Sequence, residues 1–337
     1  METRRETIAV VYGGTSAEKE ASRMNAVRIW KALTDTGYTA ELIHYDGNIV
    51  EHLKEYKPDC VFLCVQGKYH GDGTLQAICD HLGIPYTGSG MTAAAVINDK
   101  KLCKDLCRLH GIPTPEYKSL TRRECERMTA ERQEPERPGS EGPEPKGPGP
   151  KEHGLKRLAD FLEPLSYPFV AKGDTQGGSY GIELIRGPED LHRIGGLYEY
   201  DDELLFEQFI DGRFFTVSLL EREGRLTALP MVEGCNPEQE DLILFNRPFT
   251  VLPADLPREL QEEMTEYACR LFEIFGAGGY ARADFMMDER GVPFFLEMNA
   301  VPGMREESFF PVAAELAGIP FEELVGMILK TRQRKWL

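Results

Sequence analysis

The residues 294–304, FFLEMNAVPGM, place Glu297 and Asn299 two positions apart in an otherwise apolar segment that predicts a strand. The preceding segment GYARADFMM carries Arg282 and Asp284 with the same spacing. Side chains two positions apart in a strand lie on the same face. Aspartate and asparagine are poor strand formers, and their neighbours here are strongly apolar. The pattern therefore favours a chemical role for these polar side chains.

The two segments are joined by DERG and predict a hairpin. If the first and last residues of this turn close it, Arg282 faces Glu297 and Asp284 faces Phe295, and all the polar groups share one face. A register error of one residue would break the arrangement. Three oxygen donors beside an arginine suit Mg²⁺. The alternative is a solvated sheet face with ordinary cross-strand ion pairs.

A second candidate is the glycine-rich stretch YPFVAKGDTQGGSYGIELI, residues 167–185. Lys172 ends a predicted strand, a loop with Gly177, Gly178 and Gly181 follows, and the next strand begins at residue 182. Glycines let backbone N–H groups approach an anion, and a nearby lysine adds a charge for phosphate. The stretch is not a Walker motif, and a plain turn remains an alternative.

A third candidate is VYGGTSAEKE, where Gly13 and Gly14 end the first predicted strand and a helix follows. The N-terminus of a helix favours an anion or a polar ligand. Thr15 and Glu18 also have the spacing of a capping box, which serves only the helix. Both interpretations remain open.

Strands alternate with helices through the first hundred residues, which predicts an α/β class with a doubly wound parallel sheet. From about 205 to 300 the strands are joined by tight turns, which predicts antiparallel α+β structure with a helix at 257–275. Helices at 308–332 end the chain. Residues 133–152, QEPERPGSEGPEPKGPGPKE, have hardly an apolar side chain and predict a disordered insert within a domain.

Composition excludes several classes of protein. A chain of 337 residues predicts two or three units. Its formal charge of −17 argues against a nucleic-acid surface. No membrane-spanning run or signal peptide is expected, which predicts a cytoplasmic protein without a membrane partner. The eight cysteines include no CxxC pair and are expected to be reduced.

Eight motifs, in this order, resemble those of the D-alanine–D-alanine ligases of the ATP-grasp superfamily: GGTSAEKE, DGTLQ, IPYTGSG, the Lys100 of INDKK, the glycine loop after Lys172, LLFEQFIDG, ARADF and EMNAVPGM. They cover nearly the whole chain. The resemblance implies a three-domain ATP-grasp fold with an N-terminal parallel-sheet preATP-grasp domain. The implied domains are residues 1–98 for substrate, 99–211 as the central ATP-grasp subdomain, and 212–337 as the C-terminal subdomain with the metal site.

The resemblance also implies a two-step reaction for peptidoglycan synthesis. The carboxylate of one D-alanine attacks the γ-phosphate of ATP, and the amine of a second amino acid attacks the resulting acyl phosphate. The implied cofactors are ATP and two Mg²⁺ ions, with Mn²⁺ as a substitute. The implied partners are small amino acids and, as a homodimer, a second copy of the chain.

Site residues follow from the resemblance position by position. The ATP site is expected to consist of Lys100, Lys172, Gln176, Gly177, Gly178, Ser179, Glu207, Gln208 and Ile210. The last three would line the adenine pocket. The expected metal ligands are Asp284, Glu297 and Asn299. Catalytic roles would fall to Glu18, Arg282, Gly303 and Ser308. Arg282 and the Gly303 N–H would stabilise the oxyanion, Ser308 and Phe309 would receive the second carboxylate, and Glu18 the first ammonium.

The chain departs from the family pattern at several of the groups that enclose substrate. Gln66-Gly67 replaces the family's His-Gly, and Gly71-Asp72-Gly73 replaces Glu-Asp-Gly. Gly178 replaces a serine, and Phe214 an acid that holds the ribose. The lid segment 235–248, CNPEQEDLILFNRP, has neither lysine nor tyrosine, which favours weaker exclusion of water. Two alternatives therefore stay open: a ligase for another amino or hydroxy acid, and a non-catalytic nucleotide-binding protein.

Overall fold

The computed structural model describes residues 6–67, 71–130, 150–236, 242, 244 and 247–332. Most of the predicted insert and most of the predicted lid segment lie outside the described residues. The last residues of the predicted insert, 150–152, begin the helix Pro150–Leu162.

The N-terminal part is a parallel α/β layer. Its strands are β1 (Thr7–Gly13), β2 (Thr39–Tyr45) and β3 (Cys60–Leu63), in the order β2-β1-β3, and its helices are α1 (Lys19–Asp35), α2 (Ile49–Tyr56) and α3 (Thr74–Leu82). Ile8 and Val10 pack into one apolar cluster, and Ala9 and Val11 into another. Because β1 is buried on both faces, its sequence is a nearly continuous apolar run, as in parallel sheets generally. The helices α4 (Met91–Asn98) and α5 (Lys100–Leu109) follow.

The second part is an antiparallel sheet with helices on one side. Its elements are β4 (Tyr117–Thr121), α6 (Arg122–Thr129), α7 (Pro150–Leu162), β5 (Phe169–Gly173), β6 (Ile182–Ile185), a 3₁₀ turn (Pro188–Arg193), α8 (Ile194–Leu197) and β7 (Glu203–Gln208). The strand order is β4-β7-β5-β6. Phe169 and Phe206 face an apolar cluster that includes Leu158 of α7. The neighbouring positions in each strand therefore form the opposite face of the sheet.

The C-terminal part is a six-stranded sheet. Its elements are β8 (Gly212–Arg222), β9 (Arg225–Ala228), β10 (Val232–Cys235), β11 (Thr250–Pro253), α9 (Arg258–Ile274), β12 (Tyr280–Asp288), β13 (Pro293–Asn299), α10 (Phe309–Leu316) and α11 (Phe321–Lys330). The main order is β11-β10-β8-β12-β13, with β9 on β8. One face packs with α9, and residues of the other face join the cluster of α10 and α11.

The contacts divide the chain into two compact units. One comprises residues 1–114, 177–180 and 210–337, and the other comprises 115–176 and 181–209. The finer division into three domains at 98/99 and 211/212 stays a prediction. None of the eight cysteines, all of which lie within the described residues, forms a disulfide. Within the described residues, no helix is long and apolar enough to cross a membrane.

Candidate active site

The register of the β12–β13 hairpin differs from the prediction. Asp288 and Val292 close the turn, one residue later than expected. That shift alone would turn the polar residues of β13 to the opposite face. A β-bulge at Leu296 adds a second shift, because Phe285 pairs with Phe295 while Asp284 pairs with Glu297. The two shifts together restore the predicted face.

Arg282 therefore pairs with Asn299, and Asp284 with Glu297, instead of the predicted pairings. Arg282 donates from Nε and Nη2 to the two carboxylate oxygens of Asp284, each at 2.7 Å. Asn299 Nδ2 donates to Asp284 Oδ2 at 3.0 Å. Burial raises the pKa of Asp284, and the attraction of Arg282 opposes that effect. The four polar groups inferred from sequence do lie together on one face.

Two carboxylates stand directly opposite each other in this arrangement, because Asp284 pairs with Glu297 across the strands. Like charges in that position destabilise a sheet. A cation accompanies each of them: Arg282 contacts Asp284, and Lys100 Nζ, from the start of α5, lies 3.5 Å from Glu297 Oε2. Each carboxylate of the opposed pair thus has a buried cation beside it, which offsets their mutual repulsion.

Glu18 adds a third carboxylate to this region. Burial raises its pKa to about 7, while Lys100 lowers it and Glu297 raises it further. Helix α1 begins at Lys19, and Glu18 makes no side-chain capping bond. The N-cap of α1 is thus Glu18 and not Thr15, so the two residues do not hold the N-cap and N3 positions of the capping box considered above. Of the two interpretations, the ligand-binding one is compatible with this geometry.

Close backbone packing surrounds Glu18. A Cβ on Gly177 would lie 2.6 Å from Glu18 Oε2, and one on Gly178 would lie 2.8 Å from Glu18 Cγ. A Cβ on Gly67 would lie 2.7 Å from Glu18 Oε2. Gly178 also has φ +65, which favours glycine. The chain therefore has no room for the family's serine at position 178 in this arrangement of Glu18.

Sequence reasoning missed two buried hydroxyl groups beside the hairpin. Thr216 and Ser218 of β8 pair with Asp284 and Arg282 respectively, so their side chains share the polar face. Both are 0% exposed, and their hydroxyl oxygens have no hydrogen-bond partner among the described residues. The sequence does carry a signal for these hydroxyl groups, because FFTVSLL is an apolar run with two polar residues spaced two positions apart.

The loop after β13 carries the remaining catalytic candidates. Ser308 is the residue before α10, which begins at Phe309 as expected. A Cβ on Gly303 would lie 3.1 Å from Ser308 Oγ, so the two residues are neighbours. The Phe309 ring is 2% exposed and lies 5.7 Å from the ring of Phe214. Phe214 thus fills the position of the family's acid with apolar packing.

The other compact unit holds the predicted phosphate lysine. Lys172 Nζ of β5 lies 3.0 Å from Glu207 Oε2 of β7, and both side chains are buried. Gln176 is buried, and Gln208 is exposed on the opposite face of β7. Ile210, assigned to the first unit, is 7% exposed.

Asp201 was not singled out from the sequence, although it organises the loop after β5. Its Oδ2 accepts the N–H of Thr175 at 2.7 Å and the Thr175 hydroxyl at 2.8 Å. Its Oδ1 accepts the N–H of Asp202 at 2.8 Å. A buried carboxylate with these three bonds holds the start of the glycine loop in one conformation.

The described residues contain no group of three or more His, Cys, Asp or Glu side chains that could hold a metal. The hairpin instead offers two carboxylates and one amide. Mg²⁺ commonly takes one or two protein carboxylates and completes its coordination with water and phosphate oxygens. The opposed pair Asp284 and Glu297, with Asn299 beside it, fits that requirement.

Similar known proteins identify the family of this chain. A family model described as "D-ala D-ala ligase C-terminus" matches residues 149–330. The D-alanine–D-alanine ligase of Carboxydothermus hydrogenoformans is 33% identical over 330 residues, covering 96% of each chain. The chain belongs to the D-alanine–D-alanine ligase family.

Solved structures of ligases have the same fold as this chain. A D-alanine–D-alanine ligase from Bacillus anthracis, complexed with ATP, has a TM-score of 0.75 at 26% identity and covers 97% of this chain and 96% of its own. VanG D-Ala:D-Ser ligase from Enterococcus faecalis has a TM-score of 0.72 at 21% identity, over 97% of this chain and 99% of its own, which shows the fold alone. The predicted family and the predicted ATP-grasp fold are both confirmed.

Proposed function

We propose that this member of the family is an ATP-dependent ligase that joins two D-alanines through an acyl phosphate, for peptidoglycan precursors. The observation that supports it best is the group of ionised side chains around the β12–β13 hairpin. Arg282, Asp284, Glu297 and Lys100 lie together there. The charges of Lys100, Glu297 and Arg282 also shift the pKa of Glu18. A site that contains two buried cations and three carboxylates suits a reaction of ionic substrates.

The ATP site is assigned from the resemblance to the family. Lys172 and Lys100 are assigned to the phosphates, together with backbone N–H groups of the loop from Gln176 to Gly181. Glu207, Gln208 and Ile210 are assigned to the adenine end. Asp284, Glu297 and Asn299 would hold Mg²⁺, or Mn²⁺ in its place. When bound, the ions neutralise charge on the transferring phosphoryl group.

The second step is assigned to residues of the larger unit. Glu18 binds the ammonium group of the first substrate, for which its ionised carboxylate is the natural partner. The N–H of Gly303 and the guanidinium of Arg282 receive the negative oxygen that develops when the second amine attacks. Ser308 and the N-terminus of α10 at Phe309 bind the second substrate's carboxylate, because helix N-termini favour anions.

The second candidate function is the same ATP-dependent ligation with a different acid as substrate. It is favoured by the tight packing of Glu18 against Gly177 and Gly178, where the family has a serine at the second position. The replacements Gln66 and Gly71 also favour it. A different amino acid or a hydroxy acid is then a substrate.

One assay separates these functions: ADP release with Mg-ATP over a panel of D- and L-amino acids and D-lactate, with products identified by mass. ADP release only with D-alanine, giving the dipeptide, supports the first proposal. A different productive acid supports the second. Stimulation by no acid would leave a nucleotide-binding protein without turnover.

As further parts of the proposal, the chain is a cytoplasmic homodimer with three domains divided at 98/99 and 211/212.

A further inference from the structure

A relay of side-chain amides joins α1 to two points of the loop after β13, Val301 and Met304. Gln66 Nε2 donates to the carbonyl of Val301 at 2.7 Å. Asn25 Nδ2 donates to Gln66 Oε1 at 3.3 Å, and Asn25 Oδ1 accepts the N–H of Met304 at 2.9 Å. Asn25 is 3% exposed. The relay therefore spans the short segment that contains Gly303.

The backbone groups at the two ends fix the direction of every bond in the relay. The Met304 N–H only donates, so Asn25 must present its oxygen there and turn its NH₂ group towards Gln66. The Val301 carbonyl only accepts, so Gln66 must present its NH₂ group there and its oxygen to Asn25. Position 66 consequently needs a side chain with one donor and one acceptor.

Residue 66 also contacts the loop that carries Glu18, through its backbone. Its carbonyl accepts the Ser16 hydroxyl at 2.8 Å, and Ser16 Oγ accepts the N–H of Glu18 at 3.3 Å. The next residue, Gly67, approaches Glu18 so closely that a Cβ there would lie 2.7 Å from Glu18 Oε2. One residue thus bonds to the loop of Glu18 and, through its side chain, to the loop of Gly303.

We infer that Gln66 is a positioning residue that sets the placement of the oxyanion-binding Gly303 relative to the ammonium-binding Glu18. This inference rests on the proposed function. Displacement of reacting groups by about 1 Å costs on the order of 100-fold in rate. A neutral histidine also has one donor and one acceptor. Glutamine at this position therefore meets the same bonding requirement as the family's histidine.

The test compares Gln66→Met, Gln66→His and a matched control. Gln261 of α9 provides the control, because its Nε2 also donates to a backbone carbonyl, that of Leu256, at 2.9 Å. With the productive acid and at pH 8, where most of a histidine with an ordinary pKa near 6.5 is neutral, Gln66→Met should lower kcat roughly 10- to 100-fold. The KM for ATP should change by less than about twofold. Gln66→His should stay within about threefold of the wild-type kcat, and Gln261→Met should match the wild type.

Amide hydrogen exchange provides a readout that needs no turnover. Exchange at Met304 should accelerate in Gln66→Met and stay unchanged in Gln261→Met. If the wild type ligates no acid but this acceleration occurs, the proposed function fails and the relay stands. Unchanged kcat and exchange in Gln66→Met would overturn the inference. So would a Gln66→His variant as slow as Gln66→Met, or an equal loss of kcat in Gln261→Met.

Discussion

Exchanging Asp284 or Glu297 for its amide separates the structural from the chemical role of the hairpin. Asp284 is 1% exposed and accepts both hydrogen bonds of the Arg282 guanidinium. Asp284→Asn removes the carboxylate charge that is hydrogen-bonded to that buried guanidinium, which lowers the free energy of unfolding by about 3–5 kcal/mol. The Glu297 side chain is 26% exposed and meets Lys100 at 3.5 Å. Glu297→Gln removes a longer, partly solvated contact of the buried Lys100 and costs about 1–3 kcal/mol, less than Asp284→Asn.

Both variants should nevertheless lose turnover, because both remove a carboxylate assigned to Mg²⁺. We expect kcat to fall by at least about 100-fold in each, since the charge that develops during phosphoryl transfer is no longer neutralised. Glu297→Gln is the informative variant, because its fold stays close to that of the wild type. It should also lose the increase in thermal stability that Mg-ATP gives to the wild type.

The assay pairs urea unfolding with steady-state ADP release. The control is Glu262→Gln on α9, which breaks an exposed pair with Arg258 at 2.7 Å and should leave both measurements unchanged. Wild-type turnover in Glu297→Gln would refute the metal assignment. Equal losses of stability in Asp284→Asn and Glu297→Gln would refute the distinction between the two carboxylates.

Three further outcomes are expected. The pKa of Glu18 is about 7, and an ammonium ligand favours its ionised form. The KM for the first amino acid should therefore fall about tenfold between pH 6 and 8. The substitution Glu18→Gln should abolish that pH dependence. Gly178→Ser should raise the same KM and lower stability, because the new side chain meets Glu18 at φ +65; unchanged kinetics would contradict the packing described. Asp201→Ala should raise KM for ATP and leave KM for the amino acids unchanged, because Thr175 loses both of its bonds to that carboxylate; an unaltered KM for ATP would count against its role in the loop.

The spacing of the polar residues within each strand of the hairpin was readable from sequence, but the register between the two strands was not. Period-two spacing of Arg282 with Asp284 and of Glu297 with Asn299 follows from strand geometry alone. The pairing depends on the length of the turn and on the bulge at Leu296, neither of which has a unique local signal. The prediction kept the correct face only because two one-residue shifts cancelled.

The contacts that sequence could not supply are those between distant segments. Gln66 was noticed as a departure from a motif, yet its bonds to Asn25 and Val301 join residues 41 and 235 positions away. The carboxylate of Asp201 bonds to Thr175 across 26 positions. Periodicity describes one element at a time, so it does not identify a side chain whose role is to hold another loop.

The two lysines assigned to phosphate have the same arrangement in their separate units. Lys100 and Lys172 are 7% and 8% exposed, and each faces a glutamate, at 3.5 Å and 3.0 Å respectively. A flexible ammonium group loses rotamer freedom when it binds an anion. Because a carboxylate already contacts each lysine, that loss occurs on folding and not on binding. We therefore expect the glutamates to position the lysines in the free protein. When phosphate binds, the carboxylates also compete with it for the lysine ammonium groups.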